Sequence, residues 1–280
     1  MRTENMETIT DLNVIVNGLS ISYTDEGDHS HNTVVFIHGF PLNKAMWNNQ
    51  REALRNSYRV ITYDLRGFGD SEAGTEQLSM SLFAADLENL LQSLEVHKAI
   101  LCGFSMGGYI ALTAVDKFPN LFEALILCDT QCNSDTAEGR AKRIKSIEAI
   151  RLDGLELYAD DSLAKFFYAE THNKKSKEII EVRRMIEGTP IETVCETLMA
   201  LANRPETCST LERIKMPVMI LVGNEDTITP PEKATFMQSK IKGSTLYRLE
   251  NAAHLSNLDN PTDFNKHLIT FLDKVTQKGL

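Results

Sequence analysis

The chain has 280 residues, of which 42% are hydrophobic and 24% charged, the balance of a soluble globular protein with one large core and no room for a long disordered tail. Its formal net charge of −10 excludes a nucleic-acid partner, which needs a concentrated Lys/Arg surface to displace counterions, and no apolar run is long enough to cross a bilayer. Residues Met1 to Asp11 are polar and lack an apolar leader core, so a cytoplasmic location with no membrane partner is the expectation.

Near the N-terminus, Asn17-Gly18 separates two β-rich runs beginning at Asn13 and Ser20. This dipeptide tolerates the positive φ angles of a tight turn, and it predicts an opening antiparallel hairpin. Short β-rich runs then alternate with helical patterns: Val34 to Ile37, Arg59 to Tyr63, Ala99 to Cys102, Ala124 to Leu127, Val218 to Val222 and Thr245 to Leu249. Alternation of this kind means βαβ crossovers, hence an α/β fold with a mostly parallel sheet. Runs such as Val34-Val-Phe-Ile and Val218-Met-Ile-Leu-Val are apolar at consecutive positions, as in strands covered on both faces.

Between Thr130 and about Pro217 the pattern turns helical, with segments at Ile144 to Leu157, Ser162 to Phe167, Lys177 to Ile186 and Ile191 to Ala202. The expected organisation is a core of residues 1–129 and 217–280 carrying a helical insertion at 130–216. A basic cluster inside it, Arg140, Lys142, Arg143 and Lys145, reads as a solvated helix face. The five cysteines, Cys102, Cys128, Cys132, Cys195 and Cys208, form an odd set without CxxC spacing. Neither a disulfide framework nor a zinc site is expected from them, and Cys102 and Cys128 read as buried strand residues.

The sharpest chemical signal is Gly103-Phe104-Ser105-Met106-Gly107, between the apolar run ending at Cys102 and the helical stretch from Tyr109. A serine on a tight strand-to-helix turn projects its hydroxyl above the sheet. Its flanking glycines are needed because a Cβ at either position would meet the neighbouring strand or helix. The helix that follows aims its N-terminal dipole at the same place.

In this motif, and in His38-Gly39-Phe40-Pro41 and Asp64-Leu-Arg-Gly-Phe-Gly-Asp-Ser71 after the first two parallel strands, the chain resembles the α/β-hydrolase family from its hairpin to its final helix. The resemblance implies helices on both faces of the sheet, a helical lid, and no metal or organic cofactor. It also implies a nucleophile, an acid and a base in that chain order. Ser105 is then the nucleophile. His254, in the loop after Thr245 to Leu249, is the base, ahead of His29, His31, His97, His172 and His267, which lack that strand-end context. Asp226, in Gly223-Asn-Glu-Asp after Val218 to Val222, is favoured as the acid over Glu225 and over Asp129, which follows the strand after the nucleophile.

The same resemblance assigns the oxyanion donors to the N–H groups of Phe40 and Met106, since Pro41 has no N–H to give. It makes His38 a structural residue that holds its loop through the ring nitrogens, and leaves Arg66 to pair with a nearby carboxylate. Trp47, Phe104, Phe166, Phe167 and Met185 are candidate substrate-binding residues under the lid. Ser105 stands where epoxide hydrolases and haloalkane dehalogenases of this family carry Asp, which argues for acyl chemistry.

The nearest likeness is to small-lid esterases and 3-oxoadipate enol-lactonases. It is carried by His38-Gly39, Trp47, Asp64-Leu-Arg-Gly-Phe-Gly, Gly103-x-Ser-Met-Gly-Gly and the stretch Arg143 to Leu155. The expected function is hydrolysis of a small carboxylic ester or lactone through an acyl-enzyme. Carbon–carbon bond hydrolysis or cofactor-free perhydrolysis by the same triad is one alternative, and a hydrolase-like ligand-binding protein is another.

Overall fold

The hairpin forms where Asn17-Gly18 predicts it: β1 (Leu12–Val16) and β2 (Leu19–Glu26) pair antiparallel with Val16 opposite Leu19, and Asn17 and Gly18 take φ angles of 52° and 82°. The computed structural model describes residues 11–173 and 177–277, so most of the polar N-terminal stretch lies outside the described residues.

The predicted runs become β3 (Thr33–Ile37), β4 (Arg59–Tyr63), β5 (Ala99–Phe104), β6 (Phe122–Cys128), β7 (Val218–Gly223) and β8 (Thr245–Leu249). With the hairpin they form one eight-stranded sheet in the order β1-β2-β4-β3-β5-β6-β7-β8. Both partners of β2 are antiparallel to it, and every pairing from β4 through β8 is parallel.

Between the early strands run α1 (Asn48–Leu54), α2 (Met80–Ser93) and α3 (Met106–Lys117). Among the described residues, five α-helices lie between β6 and β7: α4 (Ala137–Asp153), α5 (Glu156–Phe166), α6 (Ala169–Asn173), α7 (Lys177–Gly188) and α8 (Ile191–Ala202). The chain closes with α9 (Pro231–Lys240), α10 (Ser256–Asp259) and α11 (Pro261–Thr276).

Successive strand residues point to opposite faces, and from β3 through β7 both faces are dry. Val35, Ile37, Ile61, Leu101, Leu125 and Ile220 join a core with α2, α3 and α9, whereas Val34, Phe36, Val60, Ile100, Ile126 and Met219 join a second core with α1 and α11. The insertion has a small core of its own in Ile147, Ile150, Leu155, Val194, Cys195 and Leu198, and reaches the sheet's second core through Leu163, Phe166, Val182 and Ile186. The helix predicted from Ile144 to Leu157 is in fact two. Gly154, at φ 80°, caps the last turn of α4 with its N–H on the carbonyl of Ile150.

Cys102 and Cys128 are buried on β5 and β6 as expected. The expectation of no disulfide is overturned: Cys132 and Cys208, 76 residues apart, are bonded across the neck of the insertion. Short-range spacing carries no information about such a pair. The bond arises because the chain leaving α8 passes Cys132 on its way to β7, where the N–H of Thr207 also donates to the Cys132 carbonyl at 2.8 Å.

An ion cluster sits at the same neck. Arg204 lies 4.3 Å over the Tyr109 ring and pairs with Asp135, which also takes Arg143. Arg143 therefore turns inward instead of joining a solvated face. Cross-linking so long a segment removes chain entropy from the unfolded state worth about 4 kcal/mol. Cys132→Ser should lower unfolding stability by about that amount in urea titrations under oxidising conditions, and in reductant the two proteins should unfold alike.

Candidate functional site

The end of β5 turns sharply into α3 at Ser105, whose φ and ψ of 51° and −112° lie outside the regions an L-residue prefers. The turn is held on both sides. The N–H of Ser105 donates to the carbonyl of Cys128 at 2.9 Å, and the Thr130 hydroxyl donates to the carbonyl of Ser105 at 2.7 Å. The flanking glycines are required by close approach: a Cβ on Gly103 would come 2.4 Å from the Gly107 carbonyl oxygen, and one on Gly107 would come 2.4 Å from that of Ile37.

His254 lies in the loop between β8 and α10, nearly sealed from solvent, as is Asp226. Its Nε2 stands 3.0 Å from Ser105 Oγ and its Nδ1 stands 2.8 Å from Asp226 Oδ2. Asp226 can only accept, so Nδ1 carries the proton and Nε2 is left to accept from the serine hydroxyl. Asp226 takes three further bonds, from the N–H groups of Ile228 and Thr229 at 2.8 and 3.0 Å and from the Thr229 hydroxyl at 2.7 Å. Burial pushes its carboxyl up, but the attraction of His254 and these donors outweigh it, and the net effect is to hold Asp226 below the usual carboxylate range.

The rivals fall elsewhere. Glu225 is exposed, as are His31 and His97. His29 faces Asp25, His267 stacks on Tyr247 at 4.0 Å, and the His172 side chain lies outside the described residues. His38 is wholly buried. Its Nε2 accepts the N–H of Leu65 at 3.0 Å and its Nδ1–H donates to the Gly39 carbonyl at 2.9 Å, so it is a neutral brace of the loop. Arg66 forms a forked pair with Asp86 and reaches Glu76. Asp64 gathers Lys44 Nζ at 2.7 Å and the N–H of Asp70 at 3.0 Å, pinning the loop after β4 to the segment after His38.

Met106 is the first residue of α3, where backbone N–H groups have no partner inside the helix. Among the described residues no hydrogen bond occupies the N–H of Phe40 or of Met106. The half-buried Phe40 ring packs edge-on against Phe68 and against Tyr158 of α5.

The aromatic candidates divide. Trp47 is fully buried against Phe36, Phe104 and Phe264, and Phe104, 5.0 Å from the His254 ring, is nearly as closed. Phe166, at the end of α5, lies 5.7 Å from the His254 ring, and its carbonyl takes the N–H of Leu255 at 2.8 Å. Phe167 is buried beside it in the same core. Met185 is half-buried on α7, next to a shallow hollow of about 290 Å³ shared with Asn43 and Arg184.

Sequence reasoning missed Thr229, Tyr158 and Ser256. An Asp-x-x-Thr spacing at Asp226 was the available signal for Thr229, since such an aspartate folds back on the N–H two or three residues ahead. The other two owe their places to tertiary packing alone.

Among the described residues no hydrogen bond joins Asp129 to His254, whose Nδ1 is taken by Asp226. Asp129 is wholly buried, with bonds from the Gly223 N–H at 2.8 Å and from the Ser256 hydroxyl. Burial, and then the nearby charge of Asp226, push its carboxyl well above the ordinary range in spite of those donors. Below the ordinary value of about 3.9 both folded and unfolded chains hold the proton. As pH rises past it, only the unfolded chain ionises, so stability falls until the folded group titrates too. Asp129→Asn cannot ionise. Its thermal midpoint should gain on that of the wild type as pH rises from about 4 to 8, a widening gap that calorimetry at intermediate pH would follow.

A family model described as alpha/beta hydrolase fold matches residues 32–149. An AB hydrolase superfamily protein, YisY, of Bacillus subtilis (strain 168) is 30% identical over 250 residues, 85% of this chain and 90% of its own. A 3-oxoadipate enol-lactonase of Acinetobacter baylyi is 28% identical over 251 residues, 88% of this chain and 91% of the relative. Among solved structures, a thermophilic esterase from Thermogutta terrifontis superposes with a TM-score of 0.89 at 31% identity, covering 95% of this chain and 99% of that one.

Proposed function

This chain belongs to the α/β-hydrolase family, and from that membership we propose that it is a serine hydrolase cleaving a small carboxylic ester or lactone with Ser105 as nucleophile. The observation that carries the reading is the unbroken line from Ser105 Oγ through His254 to Asp226, at 3.0 and 2.8 Å. A neutral imidazole held in one tautomer by a buried carboxylate takes the serine proton as the oxygen attacks the carbonyl carbon.

The developing oxyanion lies toward the N–H groups of Phe40 and Met106, whose preorganised dipoles favour the tetrahedral state over the planar ester. As that state collapses, the imidazolium returns its proton to the leaving alkoxide. For a lactone this oxygen remains attached to the acyl chain. Water then attacks the acyl-enzyme with His254 again as base, releasing the acid and restoring Ser105.

The insertion serves as the lid. Phe40, Phe166 and Tyr158 are the aromatic surfaces it and the oxyanion loop gather near the site, which favours a short, largely apolar acyl group. Esterase and enol-lactonase activities among the relatives support the same substrate class. Among the described residues no helix is long and apolar enough to cross a membrane. The cytoplasmic expectation meets one contrary observation, the Cys132–Cys208 bond, because such bonds persist in oxidising compartments.

A fluorophosphonate probe followed by intact-mass analysis tests the nucleophile. One adduct is expected, absent in Ser105→Ala and slow to form in His254→Ala. With p-nitrophenyl acetate, Asp226→Asn should lower kcat by about ten-thousand-fold, because the imidazole loses the partner that fixes its tautomer. A folded wild-type protein that neither labels nor turns over would move the ligand-binding alternative to first place.

A further inference from the structure

Ser105, Asp226 and His254 come from three separate loops, and nothing in the mechanism itself explains what keeps those loops in register. The tripeptide Cys128-Asp129-Thr130, at the end of β6, touches all three. The carbonyl of Cys128 takes the Ser105 N–H at 2.9 Å, and the Thr130 hydroxyl donates to the Ser105 carbonyl at 2.7 Å. Between them, one oxygen of Asp129 takes the N–H of Gly223, three residues before Asp226, at 2.8 Å. Its other oxygen takes the hydroxyl of Ser256, two residues after His254.

Asp129 adopts a φ of 45°, a left-handed conformation that costs a non-glycine residue energy, and its own N–H is tied to the Leu221 carbonyl at 2.9 Å. The carboxyl is thus forced into the one place from which it reaches both loops.

We propose that Asp129 is a positioning residue, fixing the His254 loop and the Asp226 loop against the nucleophile turn through Ser256 and Gly223. This rests on the serine-hydrolase reading above and adds a role for a buried carboxyl that the reaction does not consume. The groups facing it are Asp226, Asp259 and Ser256. Among these neighbours a protonated Asp129 adds no second negative charge beside Asp226, so His254 has a single anionic partner. A protonated carboxyl turns the Ser256 contact round, its O–H donating to the serine oxygen, and an amide of the same shape offers that same pair of contacts, an oxygen for Gly223 and an N–H for the Ser256 oxygen.

The test compares Asp129→Ala, Asp129→Asn and Ser256→Ala with the wild type in kcat, KM and fluorophosphonate labelling rate. Asp129→Ala should lose about 100-fold in kcat and in labelling rate with KM little changed, because an ångström of misplacement acts on the transition state and not on binding. Asp129→Asn should restore most of that loss, and Ser256→Ala should fall between.

A readout independent of turnover is the downfield proton resonance of His254 Nδ1–H in NMR. It should be kept in Asp129→Asn, broadened or lost in Ser256→Ala, and absent in Asp226→Asn. Three results would overturn the proposal: Asp129→Asn as inactive as Asp226→Asn, which makes Asp129 an ionised acid partner; wild-type kcat in Asp129→Ala; or, should Asp129→Ala fail to fold, an unaltered His254 resonance in Ser256→Ala. A wild type that carries the resonance but neither labels nor turns over would sink the functional reading alone.

Discussion

A serine hydroxyl attacks a carbonyl only if a neutral imidazole nitrogen waits within hydrogen-bonding distance, and a displacement of about an ångström is enough to forfeit most of the rate. In the reaction proposed for this protein the requirement falls on Ser105 and His254, 149 residues apart in sequence. The strained turn at Ser105 sets the origin from which everything else is measured. Packing around it is close: a Cβ on Gly103 would meet the helix after the turn, and one on Gly107 would meet the end of β3. The central sheet supplies the rigidity such a turn needs: five parallel pairings bring the ends of β3, β5, β6, β7 and β8 to one edge, where the loops carrying Ser105, Asp226 and His254 begin.

Charge is arranged as tightly as position. Two carboxyls, Asp226 and Asp129, are shut away from water near one another, and their surroundings drive them in opposite directions. Asp226 is held ionised by the imidazole and by three donors from its own loop, whereas Asp129 finds only a backbone N–H and a hydroxyl, with a negative neighbour beside it. The surroundings therefore favour an anion where the proposed base needs a partner and disfavour charge where a second anion would compete for it.

Much of this was legible in the sequence because it is written in local patterns. Consecutive apolar residues marked the buried strands, Asn17-Gly18 marked the hairpin, and the glycines around Ser105 marked a turn that only small residues permit. The spacing of Asp226 and His254 behind their strands was readable once the resemblance was recognised. What could not be read depends on folding back over long distances. Arg143 looks like any solvated helix cation until Asp135 is brought beneath it, the aromatic neighbours of Trp47, Phe36, Phe104 and Phe264, come from distant parts of the chain, and Gly154 divides a helical pattern whose periodicity runs on past it. Asp129 was visible only as a rival acid, since its bonds go to Gly223 and Ser256, 94 and 127 residues away, across distances that no local pattern spans.

The bond between Cys132 and Cys208 makes the whole helical insertion a covalently closed ring hung from the sheet. A protease that cuts the backbone once anywhere inside that ring leaves two polypeptides but still one molecule, its ion cluster of Arg204, Asp135 and Arg143 remaining at the attachment point. The covalent link between the two fragments is lost only once the sulfurs are reduced, so nicking and unlinking become two distinct events, the second of them governed by electrons and not by hydrolysis.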